Sequence, residues 1–149
     1  MLSVHPYLNF KGDAEEAFVL YRSIFGGDFP GIVRFREFGG AEMGVTEADL
    51  DKIAHIALPI SEGVTLMASD VIGEEAEAFV VGTNSYIYLE TSSAEEAGRV
   101  FDALSSGGRI EMELAPTEWA EKYGCCTDRF GVQWMVAYTG AVEFSMPPE

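Results

Sequence analysis

Basic residues are scarce in this chain of 149 residues: nine Lys plus Arg stand against 25 Asp plus Glu, a formal net charge of −16. A surface of that sign repels phosphate backbones and anionic lipid, so nucleic-acid and membrane-surface partners are not expected. Long apolar runs are missing too. No stretch approaches the ~18 residues that a membrane span needs, and the opening MLSVHPYLNF has neither a basic region nor a cleavage site. The expectation is a soluble, cytoplasmic protein. Cysteine is limited to Cys125 and Cys126, which are adjacent. Neighbouring residues do not easily reach ordinary disulfide geometry, and no second pair exists for a CxxC motif or a zinc knot. They read as two small buried thiols on a strand. A Ser-His-Asp set, a phosphate loop and suitably spaced catalytic carboxylate pairs are also lacking.

What is present is apolar material: 48% of residues, with ten Phe, six Tyr and two Trp. That composition excludes intrinsic disorder, and the length suits one domain, 1–149, with a core that needs no staples.

The chain repeats itself. Asp13–Gly27 reads DAEEAFVLYRSIFGG and Ser93–Gly108 reads SAEEAGRVFDALSSGG. Ala17, Phe18, Tyr21, Ile24 and Phe25 recur at helical spacing in the first, as do Ala97, Val100, Phe101 and Leu104 in the second. Asp13 and Ser93 stand as N-caps, with Glu16 and Glu96 at capping-box spacing, and the double glycines close each helix. A strand precedes each helix, Val4–Phe10 and Tyr86–Glu90. Three strand-like runs follow each: Gly31–Phe38, Ile53–Ile60 and Val64–Val71, then Arg109–Leu114, part of Lys122–Thr127, and Val132–Tyr138. The last strands repeat as GVTLM and GVQWM, each after a glycine-closed turn, and Asp128 starts the second turn. Each half is therefore β-α-β-β-β, module one at about 3–71 and module two at about 84–139. Residues 72–83 read as a linker and 140–149 as a C-terminal tail. The acidic loop Gly39–Lys52, with a helical turn expected after Thr46, has the length of a lid or a dimer arm.

Alternation assigns faces. His5, Tyr7 and Asn9 share one side of the first strand, with Leu8 and Phe10 turned to the helix. Tyr86, Tyr88 and Glu90 share the matching side in module two, opposite Ile87 and Leu89. The GVxxM strands add Thr65, Met67 and Ser69, and Gln133, Met135 and Ala137. Such a wall, apolar in body with scattered hydrogen-bonding groups, has the composition of a small-molecule pocket. The candidate ligand-binding residues are His5, Tyr7, Asn9, Met67, Ser69, Tyr86, Tyr88 and Met135. His5 and the two tyrosines could also serve structure alone, His55 is either a second cavity histidine or a strand-edge one, and Trp119 stands at the rim with Trp134 in the core. Arg34 and Arg36 either meet an anionic group or pair with the acidic loops.

The two βαβββ modules, with W-A-x-x-Y-G-x-x-x-D-x-F-G-V-x-W-M at Trp119–Met135, resemble the vicinal-oxygen-chelate superfamily and within it the PhnB-like branch. HPYLNFKGDAEEAFVLY at His5–Tyr21 and LMASD at Leu66–Asp70 fit that branch as well. The resemblance implies an α+β fold of two cup-shaped mixed sheets with helices on the outer face, assembled as a homodimer. It also implies that metal enzymes of the superfamily would place ligands at His5, Met67, Tyr86 and Met135. A divalent first-row ion wants His, Glu or Asp, and only His5 qualifies. No metal and no cofactor are therefore expected. The reading is a cup that binds or sequesters an unidentified small molecule. The alternative is a glyoxalase-like lyase, isomerase or transferase, using His5 with Tyr86 or Tyr88 as acid/base groups, or a metal recruited through His55. A structural module with a filled cup is the third.

Overall fold

The computed structural model describes residues 1–143; residues 144–149 of the expected C-terminal tail lie outside the described residues. The chain divides into two compact units, residues 1–80 and Val81 onward. In the first unit, β1 (Tyr7–Phe10) leads into α1 (Ala14–Phe25), followed by β2 (Ile32–Arg34), β3 (Ile53–Ser61), β4 (Val64–Asp70) and a short α2 (Gly73–Glu77). The second runs β5 (Ile87–Glu90), α3 (Ala94–Ser105), β6 (Arg109–Ala115), β7 (Lys122–Thr127) and β8 (Gln133–Tyr138). Each unit has one open, four-stranded mixed sheet, ordered β1-β4-β3-β2 and β5-β8-β7-β6. The first and last strands of each module pair in parallel and the others antiparallel. This is the expected α+β fold of two βαβββ modules.

One face of each sheet is buried by its helix. On β4, buried Leu66, Ala68 and Asp70 alternate with half-buried Thr65, Met67 and Ser69. α1 sends Phe18 edge-on against Phe10, with ring centroids 6.4 Å apart. Leu8 pairs with Ala68, and Leu89 with Val136, so both leucines lie on the helix side. In module two, Val100, Phe101 and Leu104 of α3 are buried, and Trp134 and Val136 of β8 are buried on the helix-side face.

Local structure departs from the sequence pattern in four places. β1 begins at Tyr7, because Pro6 has no N–H for the ladder. β2 stops at Arg34, where the chain folds into turns; the Phe35 carbonyl accepts from both Phe38 and Gly40. In the loop that follows, the helical turn expected after Thr46 does form, at Glu47–Asp49. The stretch read as linker carries α2, whose GEEAE sequence is rich in helix formers. Asp13 flanks α1 without a side-chain cap bond, so the expected capping box is absent there. Asp70, from the end of β4, takes its place: Oδ1 accepts from the Gly12 and Ala14 amides at 3.0 Å each, and Oδ2 from Ile53 at 2.9 Å. At α3, Ser93 Oγ does accept from Glu96 N at 3.0 Å, while Glu96 reaches back to the Ser92 amide. Gly26 and Gly107 end the two helices at φ +80° and +77°, a region costly for other residues.

Candidate functional site

The face away from the helix carries the candidate residues of each module. On sheet one, Tyr7 pairs with Met67 and Asn9 with Ser69, so these four share a surface. His55 of β3 joins them: its Nδ1 and the Tyr7 hydroxyl share a hydrogen bond at 3.3 Å, and the rings lie 5.8 Å apart. His5 precedes the strand, and its Nδ1 accepts from the Thr65 amide at 3.0 Å. The ring thus fills the ladder position next to the Met67 N–H to Pro6 carbonyl bond. Its Nε2 keeps the remaining proton.

On sheet two, Tyr88 pairs with Met135, Met135 with Cys125, and Cys125 with Met112, which forms one row across the face. Met112 reaches that row through a bulge in β6: two steps on β6, Ile110 to Met112, match one step on β7, Cys126 to Cys125. Glu111, inside the bulge, organises the polar groups. It accepts from Tyr86 Oη and from Thr127 Oγ1 at 2.5 Å each, and from Arg109 at 3.3 Å. Tyr123 lies edge-on to Trp119, centroids 5.3 Å apart, and accepts from the Cys125 thiol at 3.5 Å. Tyr86, Tyr88 and Trp119 remain 36%, 51% and 40% exposed.

The electrostatics follow from these partners. The Thr127 hydroxyl, then that of Tyr86, hold the Glu111 carboxyl below its usual range. The same carboxylate raises the Tyr86 phenol. Burial, then the charge of Glu90, raises Tyr88. Tyr123 is pushed up to about 12, first by its bond with Cys125 and then by burial. Cys126, on the helix side, is pushed up to about 12 by burial ahead of the nearby Asp128 and Glu111 charges. All three phenols are neutral at pH 7.

Other sequence candidates have structural partners. Arg34 grips Glu15 with two bonds, at 2.7 and 3.1 Å, and Arg36 meets Asp51 and Glu47, so both pair with acidic neighbours. Asp128 closes its turn through the Phe130 and Val132 amides and also accepts from Trp134 Nε1 at 2.9 Å. Cys125 and Cys126 are buried free thiols on β7. Glu111, Thr127, Met112 and Tyr123 were not foreseen on this face. The glutamate and threonine could have been found by carrying strict alternation from Tyr86 across to β6 and β7; the bulge that brings Met112 has no sequence signal.

The four positions where superfamily enzymes hold a metal do not fit one. His5 Nδ1 is occupied by a backbone amide, Tyr86 donates to a carboxylate, and Met67 and Met135 offer thioethers. Among the described residues, no group of three or more His, Cys, Asp or Glu is placed to hold an ion. Nor is any helix among them long and apolar enough to cross a membrane.

Residues 3–137 match the family described as 3-demethylubiquinone-9 3-methyltransferase. The chain belongs to that family. Among its relatives is protein PA1353 from Pseudomonas aeruginosa, whose crystal structure is 37% identical, covers 93% of this chain and 98% of its own, and superposes with a TM-score of 0.78. The PhnB protein from Bacillus cereus is 26% identical over 91% of this chain and 98% of its own, with a TM-score of 0.72. Protein YjdN from Escherichia coli K12 is 29% identical over 140 residues, 91% of this chain and 94% of its own length. The PhnB-like resemblance carried by Trp119–Met135 and His5–Tyr21 thus extends across the family match.

Proposed function

We propose that this protein binds a small molecule on the polar sheet faces and acts by binding or sequestration, without a metal. The observation that carries this reading is the state of the tyrosines. Tyr86 and Tyr88 are exposed, yet their phenols are raised by Glu111, burial and Glu90, away from the neutral range in which a general base works best. Groups that stay neutral, donate hydrogen bonds and offer flat apolar area suit recognition better than proton transfer. His5 supports the same view, because one ring nitrogen is spent on the Thr65 amide. Met67 and Met135, beside Tyr7 and Tyr88, add soft surface that moulds to a guest. The working form we infer is a cytoplasmic homodimer of the 16.2 kDa chain.

A thermal-shift screen of soluble small molecules, on protein purified without chelator and assayed for metals, tests the reading. A stabilising ligand is expected without added divalent ion, and Tyr86→Ala should weaken it, by roughly 1–3 kcal/mol where the bound ligand buries a polar group that the phenol had paired. Stoichiometric zinc, nickel, manganese or iron that survives gel filtration and is lost in His5→Ala would overturn it.

One observation favours an enzyme as the second reading: Tyr7 and His55 form a hydrogen-bonded pair on sheet one. The family description names methyl transfer to a demethylated ubiquinone, a reaction in which a ring hydroxyl gives up its proton. Turnover of such a quinol with a methyl donor, abolished by His55→Ala, would establish it.

A further inference from the structure

Sheet two's polar face carries a pattern that sheet one lacks: two tyrosines set beside carboxylates, one of them hydrogen-bonded to its neighbour. Tyr86 donates to Glu111 at 2.5 Å. Tyr88, two residues further on, shares the face with Glu90, whose charge helps raise the phenol and whose carboxylate accepts from the Thr139 amide at 2.8 Å. Tyr123 and Trp119 add two more rings, in edge-on contact with each other.

The face of an aromatic ring is the negative end of its quadrupole. A phenol that donates its proton to a carboxylate gains electron density in the ring, which strengthens that end. A cation over such a ring is attracted by the quadrupole and by the carboxylate behind it. Arg109 is the guanidinium bonded to this cluster; it lies 72% exposed at the outer edge and offsets one of the two carboxylates. The remaining charge is negative, in a chain whose net charge is −16. An anionic guest is repelled there, and a neutral guest gains nothing from the field.

We propose that this face binds an organic cation with a flat apolar body, its ring over Tyr88 and Met135 and its positive charge toward Tyr86, Glu111 and Glu90. The proposal rests on the small-molecule-binding reading and adds the charge class of the ligand.

Three probes with one bicyclic skeleton separate the two claims: 1-methylquinolinium, quinoline and quinoline-2-carboxylate, positive, neutral and negative at pH 8. Titration of each into the full chain, followed by calorimetry and by the amide signals of β5 and β8, should rank them in that order. The cation should bind about tenfold tighter than quinoline. The gap should shrink several-fold in folded Glu111→Gln and Glu90→Gln variants, and again in high salt, which screens exposed charge. Equal binding of quinoline and 1-methylquinolinium, or tighter binding of the carboxylate, overturns the charge assignment and leaves small-molecule binding standing. If all three probes and a diverse fragment library leave the sheet signals unmoved, both readings fall.

Discussion

The two modules place the same residues at the centre of their polar faces and different ones around them. By register, Tyr7 on Met67 in sheet one corresponds to Tyr88 on Met135 in sheet two. Around that pair, Ala57 stands where sheet two has Cys125, and Asn9 where it has Glu90. The corner beside β1 and β5 differs as well. In module one the His5 ring accepts from the Thr65 amide; in module two the Gln133 side chain donates to the Ser85 carbonyl at 2.7 Å. Moving that bond onto β8 releases the residue at the His5 position, Tyr86, to reach Glu111. The repeat has kept its hydrogen-bonded frame while one copy turned its open face toward phenols and carboxylates.

The helix side differs in another manner, by compensation. Leu8, Ala68 and Ile56 form one row under α1, and Leu89, Val136 and Gly124 form the corresponding row under α3. Volume shifts from β3 to β8 between the copies. A Cβ on Gly124 would stand 2.9 Å from Phe101 Cε2, so the glycine is what admits the ring. Buried faces conserve filled volume because voids and overlaps are both costly. Open faces carry no such constraint, and the copies diverge there.

The largest test of the comparison concerns how each helix is anchored. Asp70 is 4% exposed and satisfies three backbone amides, on the β1–α1 turn, the start of α1 and β3. Asp70→Ala strands all three, and a loss of about 3–5 kcal/mol is expected, with each unpaired group worth roughly 1–3 kcal/mol before water relieves part of it. Denaturant titration followed by probes in each module should show residues 1–80 losing stability first. Equal loss in both would mean that Asp70 serves more than its own module.

A smaller effect separates the two N-caps. Ser93→Ala removes the bond to Glu96 N and should cost about 1 kcal/mol. Asp13→Ala removes no cap bond, so only the attraction of a carboxylate to the helix N-terminus is lost, at about 0.3–1 kcal/mol at low salt. Urea midpoints measured in salt, which screens the second effect, sharpen the difference. A midpoint shift for Asp13→Ala as large as that for Ser93→Ala would dissolve it.

These anchors also mark the limit of what the sequence could tell. Helix spans, the GVxxM strands and the two faces were legible because period and burial agree: Leu66, Ala68 and Asp70 go in while Met67 and Ser69 do not. Asp13 and Ser93 look alike as caps, and nothing local reveals that Asp70, 57 positions beyond Asp13, has taken over the first. The end of β2 at Arg34 is set by turn carbonyls and by the Glu15 ion pair, which belong to tertiary structure. Of the candidate site, Tyr7, Asn9, Met67 and Ser69, and separately Tyr86, Tyr88 and Met135, could be grouped from alternation. Alternation also reaches Glu111 and Thr127, but the meeting of Glu111 with Tyr86 and the arrival of Met112 depend on the β6 bulge and on tertiary structure, which a single strand's pattern does not contain.

The smallest expected effect is a titration, and it distinguishes the two polar faces most directly. Sheet one's Tyr7 hydroxyl meets an imidazole, whereas sheet two's Tyr86 meets the Glu111 carboxylate. Glu111 has a folded-state pKa below its unfolded value, so its interactions favour the fold above the ordinary carboxylate range and fade as pH falls through the depressed value. Tyr86 is raised, so its part is intact below pH ~10 and fades as pH rises beyond the ordinary phenol value. The tether therefore opens at both ends of the scale. Carbon NMR of the Glu111 carboxyl should give a midpoint below that of an ordinary glutamate. Thr127→Val should raise that midpoint most, because the threonine hydroxyl is the main cause of the depression. Tyr86→Phe should raise it less, since Thr127 and Arg109 still donate. A midpoint indifferent to both substitutions would mean that the carboxylate is free in solution, and sheet two's face would then differ from sheet one's only in composition.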